Sequence, residues 1–172
     1  MTSTVERPGR NLVRINVVGT AVFTASSVWA AVVFDGVAKA QGVAVDLLLF
    51  AVGVVAFLWG YFAAVQRSRV DQMSVAELYL LMGGAIPSGV RRIMNSLLVV
   101  QVIVALATAM SRLTTPGENG ETNGSTLAFG VLVPMLGLGL NGLWAATHGE
   151  FPPRLLSPKS ADGRAGSPTD DR

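Results

Sequence analysis

The chain contains no cysteine and only one histidine, His148. Without a thiol it can form no disulfide and can supply no thiolate nucleophile or iron–sulfur ligand. A single imidazole is too few for a haem held by two histidines or for a histidine-rich metal site within one chain. The sequence offers no catalytic, cofactor-binding or metal-binding motif in their place. We therefore expect a non-enzymatic protein without a cofactor.

Charged residues are scarce as well. They make up 14% of the 172 residues, whereas hydrophobic residues make up 51%. Soluble domains carry about 25% charged residues. A chain this apolar must cover its surface with a lipid bilayer or with a protein partner, which we expect to be another membrane protein or a second copy of itself. The formal net charge is only +2, so we expect no nucleic-acid partner.

Four long apolar runs separate the polar segments. Each is about 20 residues long, which is the length that a helix needs to cross a bilayer core of about 30 Å. In lipid every backbone amide must be bonded within its own segment, which favours helices over open strands. The predicted fold is an all-α, polytopic membrane protein with four transmembrane helices in an up-down bundle. The predicted spans are residues 15–34, 44–65, 93–111 and 126–147.

The segments outside the spans are polar. We expect residues 1–14 to form a cytoplasmic tail. Residues 149–172 are rich in Pro, Gly, Ser and charge, which predicts a disordered cytoplasmic tail. Residues 35–43 contain two glycines and are predicted to be a short connection, and residues 113–125 are predicted to be a turn-rich polar loop.

The basic residues are unevenly distributed along the chain. Eleven of the 13 Lys and Arg lie in the two tails and between the second and third spans, while Lys39 and Arg112 lie on the other side. The positive-inside bias predicts that both termini are cytoplasmic, in a multi-pass protein of the plasma (inner) membrane. Alternatively, the first span is a secretory signal peptide cleaved after Ala40. Its apolar run exceeds the usual signal core of about 7–15 residues, which favours a retained span.

The basic segment between the second and third spans contains a helix-start signature. Ser74 and Glu77 have the spacing of a capping box, and Leu78, Leu81 and Met82 follow. We predict a short interfacial helix that these three apolar side chains anchor. The helix is either a docking platform for a partner or a connector that seals the inner face of the bundle, and the connector is favoured.

Small residues recur at intervals of four along two of the spans. Such faces let membrane helices approach closely, and Pro134 is expected to kink the fourth span. The small residues are Ala56, Gly60 and Ala64 in the second span and Gly142 and Ala146 in the fourth.

Polar side chains inside the spans are the first candidates for a functional site. We predict that four of them lie at one depth and form a layer of interhelical hydrogen bonds, which is commoner than a ligand pocket. The alternative is a polar binding site for a substrate. The four residues are Thr20, Thr24, Gln101 and Asn141.

Charged residues near the spans give two further candidates. Asp46 is the only carboxylate inside a predicted span, and an ionisable group in a membrane is a candidate for a role such as proton coupling. Because it lies near the outer boundary, the favoured interpretation is that it reaches water or pairs with Lys39. Arg91 and Arg92 either bind an anionic lipid headgroup or act only as a topology signal, and the topology signal is favoured.

The run AFGVLVPMLGLGLNGLWAATHGEFPPR, at residues 128–154, carries a family resemblance. It resembles the C-terminal part of small, uncharacterised four-span membrane proteins of high-GC Gram-positive bacteria. The resemblance is confined to the C-terminal third of the chain. It implies an inner-membrane location and no particular activity.

Three classes of function remain open. An accessory or scaffold subunit of a larger membrane complex fits the small size, the few reactive groups and the small-residue faces, and we favour it. A small oligomeric transporter or channel would need Asp46 or the polar layer to line a cavity. A membrane enzyme ranks last, because only His148 and Glu150 offer an acid–base pair at one face.

Overall fold

The computed structural model describes residues 9–111, 114–116, 122–124 and 126–153. The predicted all-α fold is confirmed, with one small antiparallel hairpin of three-residue strands inside the predicted polar loop. In chain order the elements are α1 (Arg10–Val33), α2 (Gly36–Arg67), α3 (Val75–Tyr79), α4 (Ser88–Ser111), β1 (Thr114–Pro116), β2 (Thr122–Gly124), a 3₁₀ segment (Thr126–Leu132) and α5 (Pro134–His148).

Four helical stretches are long and apolar enough to cross a membrane: α1, α2, α4, and the 3₁₀ segment together with α5. The chain is therefore a multi-pass membrane protein. Its outer surface carries large apolar side chains, among which Val32, Val55, Phe62 and Met110 are 73%, 61%, 61% and 68% exposed in the isolated chain. In a bilayer these side chains contact lipid, so their exposure needs no protein partner.

The connection between α1 and α2 is shorter than the predicted loop at residues 35–43. α2 begins at Gly36, because the Asp35 side chain caps it by accepting a hydrogen bond from the Ala38 amide at 2.6 Å. Gly42 is buried where α2 packs on α1, and an added Cβ would lie 3.2 Å from a methyl group of α1. The glycine therefore marks a close helix contact and not a turn.

The fourth span is not one kinked α-helix. Residues Thr126–Leu132 form a 3₁₀ helix, and α5 begins at Pro134. Proline is favoured at the first helical position, because the amide hydrogen that it lacks would have no partner there. The Val133 amide donates to the Gly130 carbonyl at 3.0 Å, and the Leu136 amide donates to the Val133 carbonyl at 2.8 Å. The predicted kink is thus a change of helix type.

The pair α2 and α5 forms the most extensive helix contact in the bundle. An added Cβ on Gly53 would lie 2.5 Å from the Leu136 amide nitrogen, and one on Gly60 would lie 2.7 Å from the Leu143 nitrogen. An added Cβ on Gly139 would overlap the Gly53 carbonyl oxygen. The two backbones can approach this closely only because glycine occupies these positions.

The two ends of the bundle differ. The end that carries α3 holds the main cluster of buried apolar side chains, and we refer to it as the α3 end. The opposite end carries the β1–β2 hairpin, and we refer to it as the hairpin end. The members of the cluster at the α3 end include Leu81, Met94, Leu136, Leu140 and Trp144.

Candidate functional site

Gln101, on α4, is the centre of a buried polar network. Its side chain is 0% exposed. Its Nε2 donates to Asn16 Oδ1 at 3.1 Å and to Thr20 Oγ1 at 2.7 Å, both on α1. Its Oε1 accepts a hydrogen bond from the Gly137 amide on α5 at 3.2 Å. One glutamine side chain therefore connects α1, α4 and α5.

Gly137 can serve this network because of where α5 begins. The first amides of a helix have no partner within the helix. In α5 the Val133 carbonyl bonds to the Leu136 amide, and the next amide along, that of Gly137, donates to Gln101. An added Cβ on Gly137 would lie 2.7 Å from Gln101 Oε1. A larger residue would therefore separate the amide from the glutamine.

The predicted layer of four polar residues is wrong as a single layer. Thr20 bonds to Gln101, but the Thr24 hydroxyl donates to the Thr20 carbonyl at 2.8 Å, within its own helix. Asn141 lies one helical turn beyond Gly137 toward the α3 end and belongs to a second network. The four residues do not form one layer because Gln101 lies opposite Gly137, and Asn141 lies one turn farther along α5.

The second network attaches the chain after α3 to the bundle. Asn141 Nδ2 donates to the Tyr79 carbonyl and to Asn95 Oδ1, both at 3.1 Å. Asn95 Nδ2 donates to the Leu80 carbonyl at 2.8 Å. Carbonyls at a helix end need partners outside the helix, and the two asparagines supply them where α3 stops. Sequence reasoning singled out neither Asn95 nor Asn16.

α3 itself begins as predicted. Ser74 Oγ accepts a hydrogen bond from the Glu77 amide at 3.2 Å, and the Ser74 amide donates to Glu77 Oε2 at 3.0 Å, which completes the capping box. Two predicted anchors, Leu78 and Leu81, are buried in the bundle, whereas Met82 is 52% exposed. α3 ends before Met82, and the backbone at Leu81 is left-handed, with φ of 52°.

Tyr79 fills the space between α3 and the contact of α2 with α5. Its ring stacks on Phe57 with the centroids 4.4 Å apart, and its hydroxyl donates to the Phe57 carbonyl at 3.4 Å. The ring is so close to Gly142 that an added Cβ there would overlap it. Burial, and secondly the nearby Tyr61, raises the pKa of the Tyr79 phenol, which therefore remains a neutral donor near pH 7.

Arg67 connects the end of α2 to the end of α5. Its Nη1 donates to the Ala146 carbonyl at 2.9 Å, and its Nη2 donates to the Gly149 carbonyl at 3.1 Å. Nη2 also pairs with Asp71 Oδ2 at 2.9 Å. A cation at a helix C-terminus is favourable because the helix dipole is negative there. Arg67 thus supplies partners to carbonyls that α5 itself cannot satisfy.

Residues 149–153, predicted as the beginning of a disordered tail, are fixed to the bundle. The Glu150 amide donates to the Ala85 carbonyl at 2.9 Å, and the Gln72 amide donates to the Pro152 carbonyl at 2.9 Å. The remainder of the predicted tail, and residues 1–8 of the other tail, lie outside the described residues. We use the name cap for the ordered α3-end surface formed by residues 67–87 and 146–153.

Arg91 and Arg92 have different surroundings. Arg91 Nη1 donates to the Gly83 carbonyl at 2.9 Å, at a turn where Gly83 adopts φ of 89°. Arg92 is exposed and has no hydrogen bond or ion pair with any described residue. Both side chains line a surface recess of about 590 Å³ together with Ser88 and Asn95. Arg91 therefore holds a turn, while Arg92 is free to contact a lipid headgroup.

Asp46 lies deeper than predicted. Its side chain is 4% exposed, so it does not reach bulk water, and it forms no ion pair within the described part of the chain. The predicted pairing with Lys39 is wrong, since the Lys39 ammonium lies over the Phe34 ring, 4.6 Å from its centroid. Because α2 begins at Gly36, Asp46 is about three turns inside the helix.

His148 and Glu150 do not face each other as an acid–base pair. His148 Nδ1 lies 2.7 Å from Thr147 Oγ1, and its ring stacks on Trp144 with the centroids 5.6 Å apart. The Glu150 backbone amide donates to the Ala85 carbonyl. The arrangement is that of a helix end.

Comparison with family models, with curated proteins and with solved structures finds no match to this chain.

Proposed function

We propose that this protein is a non-enzymatic accessory or scaffold subunit of a larger membrane complex, and that the cap binds its protein partner. The observation that supports the proposal is that the cap is fixed by hydrogen bonds and yet displays exposed apolar side chains. These are Val70 (67% exposed), Val75 (75%), Leu80 (39%) and Met82 (52%).

A fixed surface favours binding because less conformational entropy is lost when a partner docks. Three independent devices hold the cap: the capping box at Ser74, the asparagine pair Asn95 and Asn141, and the guanidinium of Arg67. A partner that docks on the cap therefore meets a surface that keeps its shape.

The proposal places the cap and both termini in the cytoplasm and the protein in the plasma (inner) membrane. The support is the charge bias, because eleven of the 13 Lys and Arg fall in the tails and in the segment that contains α3. A reporter that works only in the cytoplasm should be active when it is fused after Arg172. If only a reporter that works after export is active at this position, the proposed orientation is wrong.

Co-purification from native membranes tests the scaffold role. In a mild detergent, the full chain should bring down one membrane protein in near-stoichiometric amount. Val75→Ser should reduce the recovery, because it removes an exposed apolar side chain of the cap. Val37→Ser is the matched control, since Val37 is 77% exposed but lies at the start of α2, at the opposite end of that helix from the cap. Recovery that is the same for both variants would contradict the proposal.

A small oligomeric transporter or channel is the second candidate. It is favoured by one observation, the buried carboxylate of Asp46, because an ionisable group within a membrane helix is costly unless it has a task. Reconstituted liposomes should then show ion or solute uptake that Asp46→Asn abolishes. A purified protein that is a homo-oligomer without a partner would also favour this candidate over the scaffold.

A further inference from the structure

A small polar cavity lies between α1, α2, α4 and the 3₁₀ segment. It has a volume of about 10 Å³, which is close to the least that can hold one water molecule. Each of the four elements contributes an oxygen-bearing side chain to its lining. These are Ser27 from α1, Asp46 from α2, Thr108 from α4 and Thr126 from the 3₁₀ segment.

Three of the four side chains around the cavity have an oxygen without a partner among the described residues. Ser27 Oγ, Asp46 Oδ1 and Thr126 Oγ1 are buried and form no hydrogen bond with any described residue. The side chains of Ser27 and Asp46 are 6% and 4% exposed. Thr108 Oγ1 donates to the Val104 carbonyl at 2.8 Å, so its lone pairs remain able to coordinate. Buried polar atoms left in this state are unfavourable, and a ligand with complementary charge removes the penalty.

The carboxylate of Asp46 also forms no ion pair with any described residue. Within the described residues the ion pair is that of Arg67 with Asp71, at the α3 end. Lys39 is the other ionisable residue of the cavity lining, but its ammonium is placed over the Phe34 ring. A buried carboxylate without a cation is costly to keep ionised, so a bound cation would stabilise it.

We propose that the cavity is a binding site for one monovalent hard cation, with sodium as the natural candidate. Carboxylate and hydroxyl oxygens are the ligands that hard cations prefer. A calcium ion needs about 6–8 oxygens and a magnesium ion a strict octahedron, whereas this cavity offers one carboxylate and three hydroxyls. One negative charge and space for one small particle match a single positive charge. The site does not depend on the partner role of the cap.

Thermal unfolding of the purified full chain in detergent tests the site. The chain is heated in increasing sodium chloride, with choline chloride keeping the ionic strength and the pH constant. The expected result is a saturable rise in Tm with sodium, because a ligand that binds only the folded state stabilises it. Asp46→Asn should weaken the apparent sodium affinity by about tenfold or more, since it removes the negative charge of the cavity lining.

Two further variants keep the test decisive if Asp46→Asn does not fold. Ser27→Ala removes one oxygen of the cavity and should also weaken the sodium effect. Ser26→Ala is its matched control, because Ser26 Oγ donates to the Phe23 carbonyl at 3.0 Å and does not line the cavity. A sodium effect that Ser27→Ala and Ser26→Ala reduce equally would overturn the proposal.

The Lys39→Met variant tests whether sodium or the Lys39 ammonium is the cation that neutralises Asp46. Removing this positive charge should strengthen the sodium effect if the wild-type site binds sodium. If the wild type shows no sodium effect and only Lys39→Met does, the ammonium is the native cation and the proposal is wrong. Equal Tm values in sodium and choline for every variant would likewise overturn the proposal. The cavity would then hold one water molecule, or Asp46 would be protonated.

Discussion

Replacing Gln101 with leucine should destabilise the bundle more than any other conservative change at a buried polar position. Leucine has nearly the same size and fits an apolar helix, so the substitution removes hydrogen bonds with little change in packing. The bonds lost are those to Asn16 Oδ1, Thr20 Oγ1 and the Gly137 amide.

The expected loss of stability follows from the number of hydrogen bonds removed and from the buried polar atom that is left without a donor. Interhelical hydrogen bonds in membrane proteins contribute about 0.6 kcal/mol each, so three of them give about 2 kcal/mol. Asn16 Oδ1 would in addition be buried without a donor, at a cost of about 1–3 kcal/mol. We therefore expect the free energy of unfolding to fall by about 3–5 kcal/mol.

Reversible unfolding by sodium dodecyl sulfate in mixed micelles, followed by circular dichroism, measures this change. The matched control is Gln41→Leu, because Gln41 is exposed on α2. A second pair resolves the individual bonds: Thr20→Val should destabilise the protein, whereas Thr24→Val should be nearly neutral, since Thr24 bonds only to its own helix. A loss smaller than about 0.6 kcal/mol for Gln101→Leu would mean that the network contributes less than one ordinary interhelical bond.

Four other substitutions have defined outcomes. Gly53→Val should cost about 1–3 kcal/mol or prevent folding, because a Cβ there would meet the α5 backbone at 2.5 Å; the same unfolding assay measures it. Arg67→Met should lower stability by about 1.5–3 kcal/mol through loss of its bonds to the end of α5, and unchanged unfolding would contradict that role. Arg92→Gln should reduce the stabilisation that anionic lipid gives over zwitterionic lipid, whereas Arg91→Gln should lower stability equally in both, since Arg91 is bonded to the Gly83 carbonyl.

The elements that depend on local chemistry could be predicted from the sequence. The four apolar runs correspond to the four long helical stretches, because backbone bonding in lipid leaves no other common solution. The capping box at Ser74 and Glu77 is present with both of its hydrogen bonds, since it involves only residues three positions apart. Such signals require no knowledge of neighbouring helices.

The elements that depend on contacts between helices could not be predicted in the same way. In the sequence Gly42 indicates a loop. In the structure it lies within α2, where its small size lets α1 pack closely against the helix. The level of Asn141 relative to Gln101 depends on how α5 is placed against α4, and the structure sets Gly137, not Asn141, beside Gln101. Sequence alone gives no register between two helices.

One signal could have found the Gln101 network more completely. Asn16 and Thr20 are four residues apart and therefore lie on the same face of α1. A polar pair at this spacing in an apolar helix predicts a polar partner on a neighbouring helix. Asn16 is the second residue of the predicted first span, and its side chain is 0% exposed.

Site-specific photo-crosslinking in native membranes examines the cap as the surface that holds a partner. A photoreactive residue at Val75 should give one discrete protein adduct of higher mass, whereas the same residue at Val99, 54% exposed in the middle of α4, should give lipid adducts. Lipid adducts at both positions, with no protein adduct at Val75, would contradict the scaffold function.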